Sequence, residues 1–517
     1  MSPTPNYPGV YIQEHSAPGP IYSAETSLTA FVGSARMGPV GIPVLISSFR
    51  EYEEKFGTLA IAHPAAYAVR DYFANGGRQA WFLRLTGKGA SKAHIHWPLD
   101  SDAGNALHFE ARNAGAWGNE IRLQIQPVKR SNAALLRVTK KERQFHVSVY
   151  IGQSLAESFP SVNLIPGDPA FLPDLLERNS QLIRVSKASG NHALPDGLNL
   201  SEETQIQATD GLDGDALTAS DYLGNKTEQT GIYALGKADL FNLLCVPPPQ
   251  RGADTDPAVY RAALNLCVER RAMLLADGPG SWASNVIPDG FHTGSWIGTS
   301  GIETRNAAVY FPRLRQPDSL LNGREDVFVP CGAVAGVIAA NDAQRGVWSA
   351  PAGTLAALNG VNALECNTTE AEWTVLNAAG VNSLRAGADG KILIWGARTL
   401  RGAAEFNDEY KYIPVRRTAL HIEESVLRGI GWVSFERNDQ QLWNALRSQV
   451  SNFMMLLYRA GAFQGNDPDS AFFVQCGPNT TTQQDIQNGL VHLIIGFAPL
   501  KPAEFIVIRI SQRTAVN

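Results

Sequence analysis

The C-terminal end of this chain is the segment that most restricts its fold. Five of six consecutive side chains there are apolar, and only a short polar tail follows them: Phe505, Ile506, Val507, Ile508, Arg509, Ile510. A flat apolar strand must be paired along its edges and covered on its faces, because a bare one promotes uncontrolled association. The segment therefore predicts a strand that pairs with another chain.

The N-terminal end provides a second extended segment. Three prolines within the first eight residues keep the backbone extended, and the β-prone run Val10, Tyr11 and Ile12 follows them. Residues 1–30 carry a side-chain charge of −2, whereas residues 500–517 carry +2. Opposite charge favours pairing between the two kinds of end. We interpret both ends as inter-subunit arms that join copies of the chain by β-strand addition.

Charge and cysteine content exclude several classes of protein. The net charge is −5 and no basic stripe is present, so nucleic acid is not an expected partner. The five cysteines are scattered without a CxxC pair, which is typical of free thiols in a reducing compartment. The start of the chain has neither a basic nor an apolar region, and no long apolar run occurs. We expect no signal peptide, no direct membrane insertion and synthesis in a cytoplasm.

Hydrophobic periodicity predicts a mixed α/β protein with several domains. Strand and helix patterns alternate over the first 85 residues, where Ser48 and Glu51 form a predicted capping box. Residues 91–210 read as an inserted β-rich domain, since short β-type runs are separated by polar turns. The α/β pattern then returns, and the longest helix is predicted from about Asn438 to about Gly461.

Two patterns could indicate chemistry, and each has a structural interpretation that we favour. Asp277 follows an apolar strand, where α/β enzymes place functional carboxylates, but a turn residue explains it as well. His94 and His96 could share one strand face and bind a metal, but no cluster of further ligands lies near them in the sequence. The phosphate-loop, dinucleotide, nucleophile-elbow and zinc-helix motifs do not occur. We therefore predict no catalytic, cofactor-binding or metal-binding residues, and an α/β enzyme is the less favoured alternative.

Sequence segments along most of the chain resemble the contractile tail sheath family of phages and related injection systems. In one-letter code, the segments that carry the resemblance are YPGVYIQE at 7–14, TSLTAFVG at 26–33, YFANGG at 72–77, PCGAVAG at 330–336, VWSAPAG at 347–353, YIPVRR at 412–417, FERND at 435–439 and GFAPLKPAEF at 496–505. Residues 90–210 match least, as a variable outer insertion would. Single segments are weak signals, but together they are specific.

The resemblance implies an architecture for this chain. It implies an N-terminal arm at 1–12, an inner domain built from 13–90 and 360–503, an outer β-rich insertion at 91–210, an α/β middle domain at 211–359 and a C-terminal arm at 504–517. It further implies six-membered rings that stack helically around an inner tube and contract to drive the tube through a target envelope. The implied partners are copies of the chain, the inner tube protein, and baseplate and tail-terminator or cap proteins.

Contraction requires joints between rigid domains and linked arms. The proline- and glycine-rich stretches at the two ends are the predicted hinges, with Pro18, Gly19 and Pro20 near the start and Pro499 and Pro502 near the end. The favoured function is the sheath of a phage tail-like injection system assembled in the bacterial cytoplasm. The alternative within the family is the tail sheath of a phage virion.

Overall fold

The computed structural model describes residues 19–98, 106–128, 144–186, 203–284, 296–434 and 436–502. In these ranges the protein is a mixed α/β structure with one large sheet and four smaller ones, so the predicted fold class is confirmed. The large sheet takes its strands from three of the predicted segments, namely 13–90, 211–359 and 360–503. The division of the chain into domains stays a prediction.

The strands follow one another in four groups along the chain. The first group is β1 (Thr29–Gly33), β2 (Val44–Ile46) and β3 (Ala80–Arg84). The second is β4 (His94–Pro98), β5 (Ala106–Ala111), β6 (Ile121–Pro127), β7 (Phe145–Ile151), β8 (Ser154–Val162), β9 (Ile183–Val185) and β10 (Thr204–Gln207). The third is β11 (Leu243–Cys245), β12 (Met273–Asp277), β13 (Ala307–Phe311), β14 (Leu314–Asp318), β15 (Arg324–Phe328), β16 (Ala363–Leu364), β17 (Val381–Ala386) and β18 (Ile392–Trp395). The last is β19 (Phe472–Gln475) and β20 (Ile494–Phe497).

The helices lie between these strands. The α-helices are α1 (Phe49–Phe56), α2 (Pro64–Ala74), α3 (Leu172–Asn179), α4 (Ala219–Leu223), α5 (Pro257–Glu269), α6 (Cys331–Arg345), α7 (Glu370–Ala378), α8 (Ile413–Gly429), α9 (Gln440–Arg459), α10 (Pro468–Ala471) and α11 (Gln483–Gln487). Short 3-10 turns occupy Ala116–Glu120, Gly231–Lys237, Gly280–Ala283, Ile302–Asn306, Ser319–Leu321, Leu400–Gly402 and Gly431–Val433.

The large sheet has the strand order β18-β17-β13-β12-β11-β1-β3-β2. Its six central strands are parallel, and the antiparallel strands β18 and β2 close its two edges. Every residue of β1, β12 and β13 is buried. Parallel strands need cover on both faces of the sheet. Helices α2 and α6 cover one face and α5 and α7 cover the other, and each face has its own hydrophobic core.

Helices α2 and α6 approach each other through two glycines of α6. A methyl group on Gly332 would lie 2.1 Å from the carbonyl oxygen of Ala68, and one on Gly336 would lie 2.4 Å from that of Tyr72. Backbone atoms cannot yield to such contacts, so only glycine permits this separation of the helices. The packing gives a physical reason for the two glycines of the 330–336 segment.

The second group of strands forms a β-rich unit with its own core. Sheets β10-β6-β7-β8 and β4-β5-β9 enclose apolar side chains that include Trp97, Phe109 and Phe145. The two ends of the unit are joined, since Ser91 and Leu212 exchange backbone hydrogen bonds of 3.0 and 3.2 Å. The chain therefore leaves the large sheet after β3 and returns close to its point of departure.

Two local predictions can be compared directly with the structure. The side-chain oxygen of Ser48 accepts a hydrogen bond from the Glu51 backbone N–H, as predicted, whereas the Glu51 carboxylate bonds Ser47 instead of Ser48. The longest helix was predicted at about 438–461, and α9 spans Gln440–Arg459. A short β-type run predicted at 135–139 lies outside the described residues.

Candidate inter-subunit docking site

The C-terminal cluster is the core between α8, α9 and the ribbon formed by β19 and β20. Its members are apolar and include Ile422 and Val426 of α8 and Val450, Phe453 and Leu457 of α9. The Asp439 side chain caps α9 by accepting from the backbone N–H groups of Gln441 and Leu442. The apolar positions recur at three- and four-residue steps, so one face of α9 is buried against α8.

The described N-terminal segment lies along α8. The Ala24 backbone N–H donates to the Ser425 hydroxyl at 3.0 Å, and an Arg417 guanidinium nitrogen donates to the Thr26 carbonyl oxygen at 2.8 Å. Buried Ile21 packs against the Cα of Gly429, where a methyl group would lie 2.6 Å from the Ile21 side chain. The segment that leads to the N-terminal arm is thus fixed by both hydrogen bonds and burial.

A buried ionic group supports this attachment. Arg417 and Asp342 are each 3 % exposed and form an ion pair of 2.5 Å. Next to them, the Ser23 hydroxyl lies 2.9 Å from Nε2 of His421. Burial, together with the nearby Arg417 charge, lowers the pKa of His421 to about 4, so its ring is neutral at pH 7.

The predicted N-terminal arm and hinge are only partly described. Val10, Tyr11, Ile12 and Pro18 lie outside the described residues. Gly19 and Pro20 are exposed, and a side-chain nitrogen of Gln449 on α9 donates to the Gly19 carbonyl oxygen at 2.5 Å. Gly19, the first described residue, is therefore hydrogen-bonded to α9.

The C-terminal arm starts beside the ribbon. The arm strand 505–510 lies outside the described residues, whereas the predicted hinge residues Pro499 and Pro502 lie inside them. Pro499 forms an isolated antiparallel bridge with Phe463, and the Gln464 backbone N–H donates to the Ala498 carbonyl oxygen at 2.9 Å. The bases of both arms thus lie on the same C-terminal cluster.

The ribbon has one covered face and one exposed face. Strands β19 and β20 are antiparallel, and Phe472 pairs with Phe497 while Val474 pairs with Ile495. These four side chains pack on the C-terminal cluster, where Phe463 lies 6.1 Å from Phe472 and 5.5 Å from Phe497 between ring centroids. The other face of the ribbon is exposed and carries Phe473, Gln475 and Ile494. Half of the Phe473 surface and 46 % of the Ile494 surface are accessible to solvent.

The edges of the ribbon offer backbone groups for further pairing. The Ala498 N–H donates to the Ala471 carbonyl oxygen at 2.8 Å, which fixes the alternation of hydrogen-bonded pairs along the ladder. In that alternation, the N–H and C=O groups of Val474 point away from β20, and those of Ile495 point away from β19. In the described part of the chain the ribbon has only these two strands. Open edges of this kind accept an added strand.

An aromatic cleft borders the start of the C-terminal arm. The cleft has a volume of about 620 Å³, and Trp373, Arg385, Trp395 and Pro502 are among its lining residues. The guanidinium carbon of Arg385 lies 3.8 Å from the ring centroid of Trp373 and 5.3 Å from that of Trp395. The C-terminal arm therefore begins beside the Arg385 guanidinium, which contacts the indole rings of both Trp373 and Trp395.

Asp277, the carboxylate considered for catalysis, has a structural position. Its side chain is buried, and one carboxylate oxygen accepts from the Cys331 backbone N–H at 2.8 Å at the start of α6. Burial raises the pKa of Asp277 to about 6. The other carboxylate oxygen, Oδ2, has no hydrogen-bond partner. Asp277 thus caps a helix at the carboxyl end of β12, in agreement with the structural interpretation of its sequence context.

Sequence reasoning missed two parts of this site. It predicted one strand at 490–497, whereas the structure has the shorter β20 paired with β19, which was not predicted. The apolar run Phe472, Phe473 and Val474 was the available signal for β19. The attachment of residues 19–26 to α8 joins residues about 400 positions apart, and no local pattern reports such a contact. In the described ranges, no helix is long and apolar enough to span a membrane.

The comparisons with known proteins identify the family of the chain. The family model described as phage tail sheath protein central domain matches residues 217–400, and the phage tail sheath C-terminal domain model matches residues 405–513. The two models together match more than half of the 517 residues. No curated protein matches the chain.

Solved structures share the fold over nearly the whole chain. The contracted helical sheath of the anti-feeding prophage is 22% identical with a TM-score of 0.57, and the match covers 99% of this chain and 100% of that one. The contracted sheath complex of the extracellular contractile injection system PVC is 20% identical with a TM-score of 0.57, covering 99% of both chains. A sheath tail protein from Listeria innocua is 14% identical with a TM-score of 0.61, covering 93% of this chain and 96% of that one. The chain therefore belongs to the contractile tail sheath protein family.

Proposed function

We propose that the chain is a structural subunit that polymerises into a helical contractile sheath around an inner tube. The sheath belongs to a phage tail-like contractile injection system, and its contraction drives the tube through a target envelope. Family membership and the nearly complete coverage of two injection-system sheaths support this proposal. The role is structural and not enzymatic, which the capping position of Asp277 also favours.

The observation that carries the proposal is the ribbon β19–β20 with the bases of both arms beside it. We infer that the N-terminal arm of one copy and the C-terminal arm of another add to the two edges of this ribbon. The opposite side-chain charges of residues 1–30 and 500–517 favour neighbouring positions for unlike arms. Main-chain hydrogen bonds supply affinity in this mode of binding, and the exposed Phe473 and Ile494 supply apolar surface.

Removal of each arm tests the proposal. Chains lacking residues 1–12 or 504–517 are expected to keep their folded domains, because the interactions lost in the proposed assembly are main-chain pairings between subunits and not core packing. Neither truncated chain should form ordered sheath. Circular dichroism reports the fold, and negative-stain microscopy reports tubes or rings. Normal tubes from both truncated chains would contradict the proposal, and the full-length chain is the control.

Contraction requires that the linked arms allow the subunits to rotate. We propose that Pro18, Gly19 and Pro20 at one end, and Pro499 and Pro502 at the other, take up the change in direction while the domains move as rigid bodies. A methyl group placed on Gly19 meets no atom of the described residues within 4 Å, so a change in direction there would have to break only the hydrogen bond from Gln449 to the Gly19 carbonyl oxygen. Paired structures of extended and contracted sheath should superpose domain by domain, and a refolded core with both joints unchanged would refute this mechanism.

The proposed domain arrangement follows the family architecture. Segments 13–90 and 360–503 form the inner domain, 211–359 the middle domain and 91–210 the outer β-rich insertion. Further proposed partners are the inner tube protein, baseplate proteins and a tail-terminator or cap protein, and assembly takes place in the bacterial cytoplasm. A structure of the anti-feeding prophage baseplate shares the fold with a TM-score of 0.54 and 22% identity, which supports contact with a baseplate.

A phage virion is the second candidate setting for the same sheath. The descriptions of the two matching family models, which are phage tail sheath domains, favour it. Electron microscopy of particles purified with the chain distinguishes the two settings, because a virion carries a DNA-filled capsid at the end of the sheath. Particles without a capsid support the injection system.

A further inference from the structure

The hairpin-like pair β4–β5 carries titratable side chains on its outer face. Its inner face is apolar and buried, with Ile95 and Trp97 opposite Phe109 and Leu107 in the core of the β-rich unit. Alternation along the strands places the histidines of this pair on the opposite face. His96 stands directly opposite His108 in the ladder.

The two imidazole rings lie at the separation of two ligands on one metal ion. Nδ1 of His96 is 3.2 Å from Nδ1 of His108, and the ring centroids are 4.7 Å apart. Two nitrogens bound tetrahedrally at about 2.0–2.1 Å from zinc lie about 3.3 Å from each other. We propose that His96 and His108 together chelate a divalent transition-metal ion through these two nitrogens.

The fold holds this pair in place before any metal binds. The register between β4 and β5 is continuous over five residue pairs, and a slip by one residue would expose the buried Trp97 and Phe109. The two backbone positions therefore stay fixed, and rotation of the side chains replaces the contact between the two Nδ1 atoms by a shared metal ion. The adjacent positive side chains Lys92 and Arg184 both form ion pairs with Glu110, so one of their two positive charges is compensated beside the site.

The number and type of ligands indicate which metals bind. Within the described ranges no group of three or more His, Cys, Asp or Glu side chains could hold a metal ion, so the proposed site is defined by its two imidazole ligands. Imidazole nitrogen suits Cu²⁺, Ni²⁺ and Zn²⁺, whereas Mg²⁺ and Ca²⁺ prefer oxygen ligands. For a given set of such ligands, Cu²⁺ binds more tightly than the other divalent first-row metal ions. We expect one Cu²⁺ per chain, with Zn²⁺ weaker and Mg²⁺ not bound.

Titration of the tag-free full-length chain tests the site. Isothermal titration calorimetry with Zn²⁺ measures affinity, and electron paramagnetic resonance of bound Cu²⁺ detects the ligand nitrogens. We expect two imidazole nitrogens in the wild-type spectrum and one in His96→Ala or His108→Ala, with at least tenfold weaker Zn²⁺ binding in each. His96→Gln keeps a polar side chain and should show the same loss, which separates lost ligation from disturbed folding.

His94→Ala is the matched control, because His94 lies on the same strand and the same face two residues before His96. Its affinity is expected to stay within twofold of the wild-type chain. Unchanged Zn²⁺ affinity in either His96→Ala or His108→Ala overturns the proposal. A tenfold loss in His94→Ala equally overturns it, since the ligands would then differ from the proposed pair. These measurements do not depend on sheath assembly.

Discussion

Single residues in the core of this sheath protein show how burial changes chemistry. Asp277 is buried at the start of α6, and burial raises its pKa from 3.8 to about 6. Below pH 4 the carboxyl group is protonated in both the folded and the unfolded chain. Between pH 4 and pH 6 only the unfolded chain loses the proton, so the stability associated with Asp277 falls as pH rises through this window and is constant above it.

We predict that Asp277→Asn removes this dependence on pH. Asparagine keeps the oxygen that accepts from the Cys331 N–H but carries no charge. Relative to the wild-type chain, the variant should gain about 3 kcal/mol in free energy of unfolding between pH 4 and pH 7. Urea unfolding followed by circular dichroism at a series of pH values measures the gain. A difference between the two chains that is independent of pH would contradict the prediction.

A second residue-scale prediction concerns the contact between α2 and α6. Gly332→Ala places a methyl group 2.1 Å from the Ala68 carbonyl oxygen, so the helices must separate. We expect a loss of about 1–3 kcal/mol, the usual cost of overpacking. Thermal denaturation measures it. Gly431→Ala is the control, because a methyl group there meets no atom within 4 Å, and an equal loss in both variants would argue against the role of the contact.

At the scale of elements, local patterns predicted some features and not others. Helix α9 was predicted to within two residues at each end, because its apolar period of three and four and its Asp439 cap are local signals. Strand β19 was missed and β20 is shorter than the predicted strand at 490–497, because each is a short strand that depends on pairing with the other. The energy of pairing between two strands has no signature in the local sequence of either one. This explains why only one of the two strands of the ribbon was predicted.

The edges of the ribbon allow a prediction about assembly. Val474→Pro removes an N–H that points away from β20, and Ile495→Pro removes one on the opposite edge, while the hydrogen bonds between β19 and β20 remain. Both variants should fold, with melting temperatures lowered by the loss of one apolar side chain from the C-terminal cluster, but form no ordered sheath. Negative-stain microscopy and thermal denaturation measure the two properties.

Val474→Ile is the matched control for the ribbon edge, because it keeps the backbone N–H and the β-branched shape. It should assemble normally. If both proline variants formed regular tubes, strand addition at these edges would be excluded as the mode of assembly. If Val474→Ile also failed to assemble, the side chain and not the backbone edge would be responsible.

At the scale of the whole molecule, one sheet joins segments that the sequence separates widely. Strands β1–β3 and β11–β13 lie in the same sheet, although the whole β-rich unit stands between them in the chain. The sequence indicated the α/β pattern on both sides of the insertion, but strand order is a long-range property. Parallel pairing of β1 with β11 and β3 therefore had to come from the structure.

The closed junction of the β-rich unit predicts that it can be removed. Because Ser91 and Leu212 exchange backbone hydrogen bonds, a short Gly/Ser linker can replace residues 92–211 without moving β3 or β11. We expect the shortened chain to fold and to form rings or tubes. Circular dichroism and microscopy check both. A chain that folds but never assembles would show that the unit takes part in ring closure, against its proposed outer position.

The common base of the two arms has a mechanical consequence. Residues 19–26 are bonded to α8 and α9, and Ala498 and Pro499 are bonded beside the ribbon, so tension applied to both ends enters the same C-terminal cluster. None of these bonds involves a strand of the eight-stranded sheet. An assembled sheath would then transmit force as a network of linked C-terminal clusters, and its tensile strength would depend on α8, α9 and the ribbon more than on the largest sheet of the subunit.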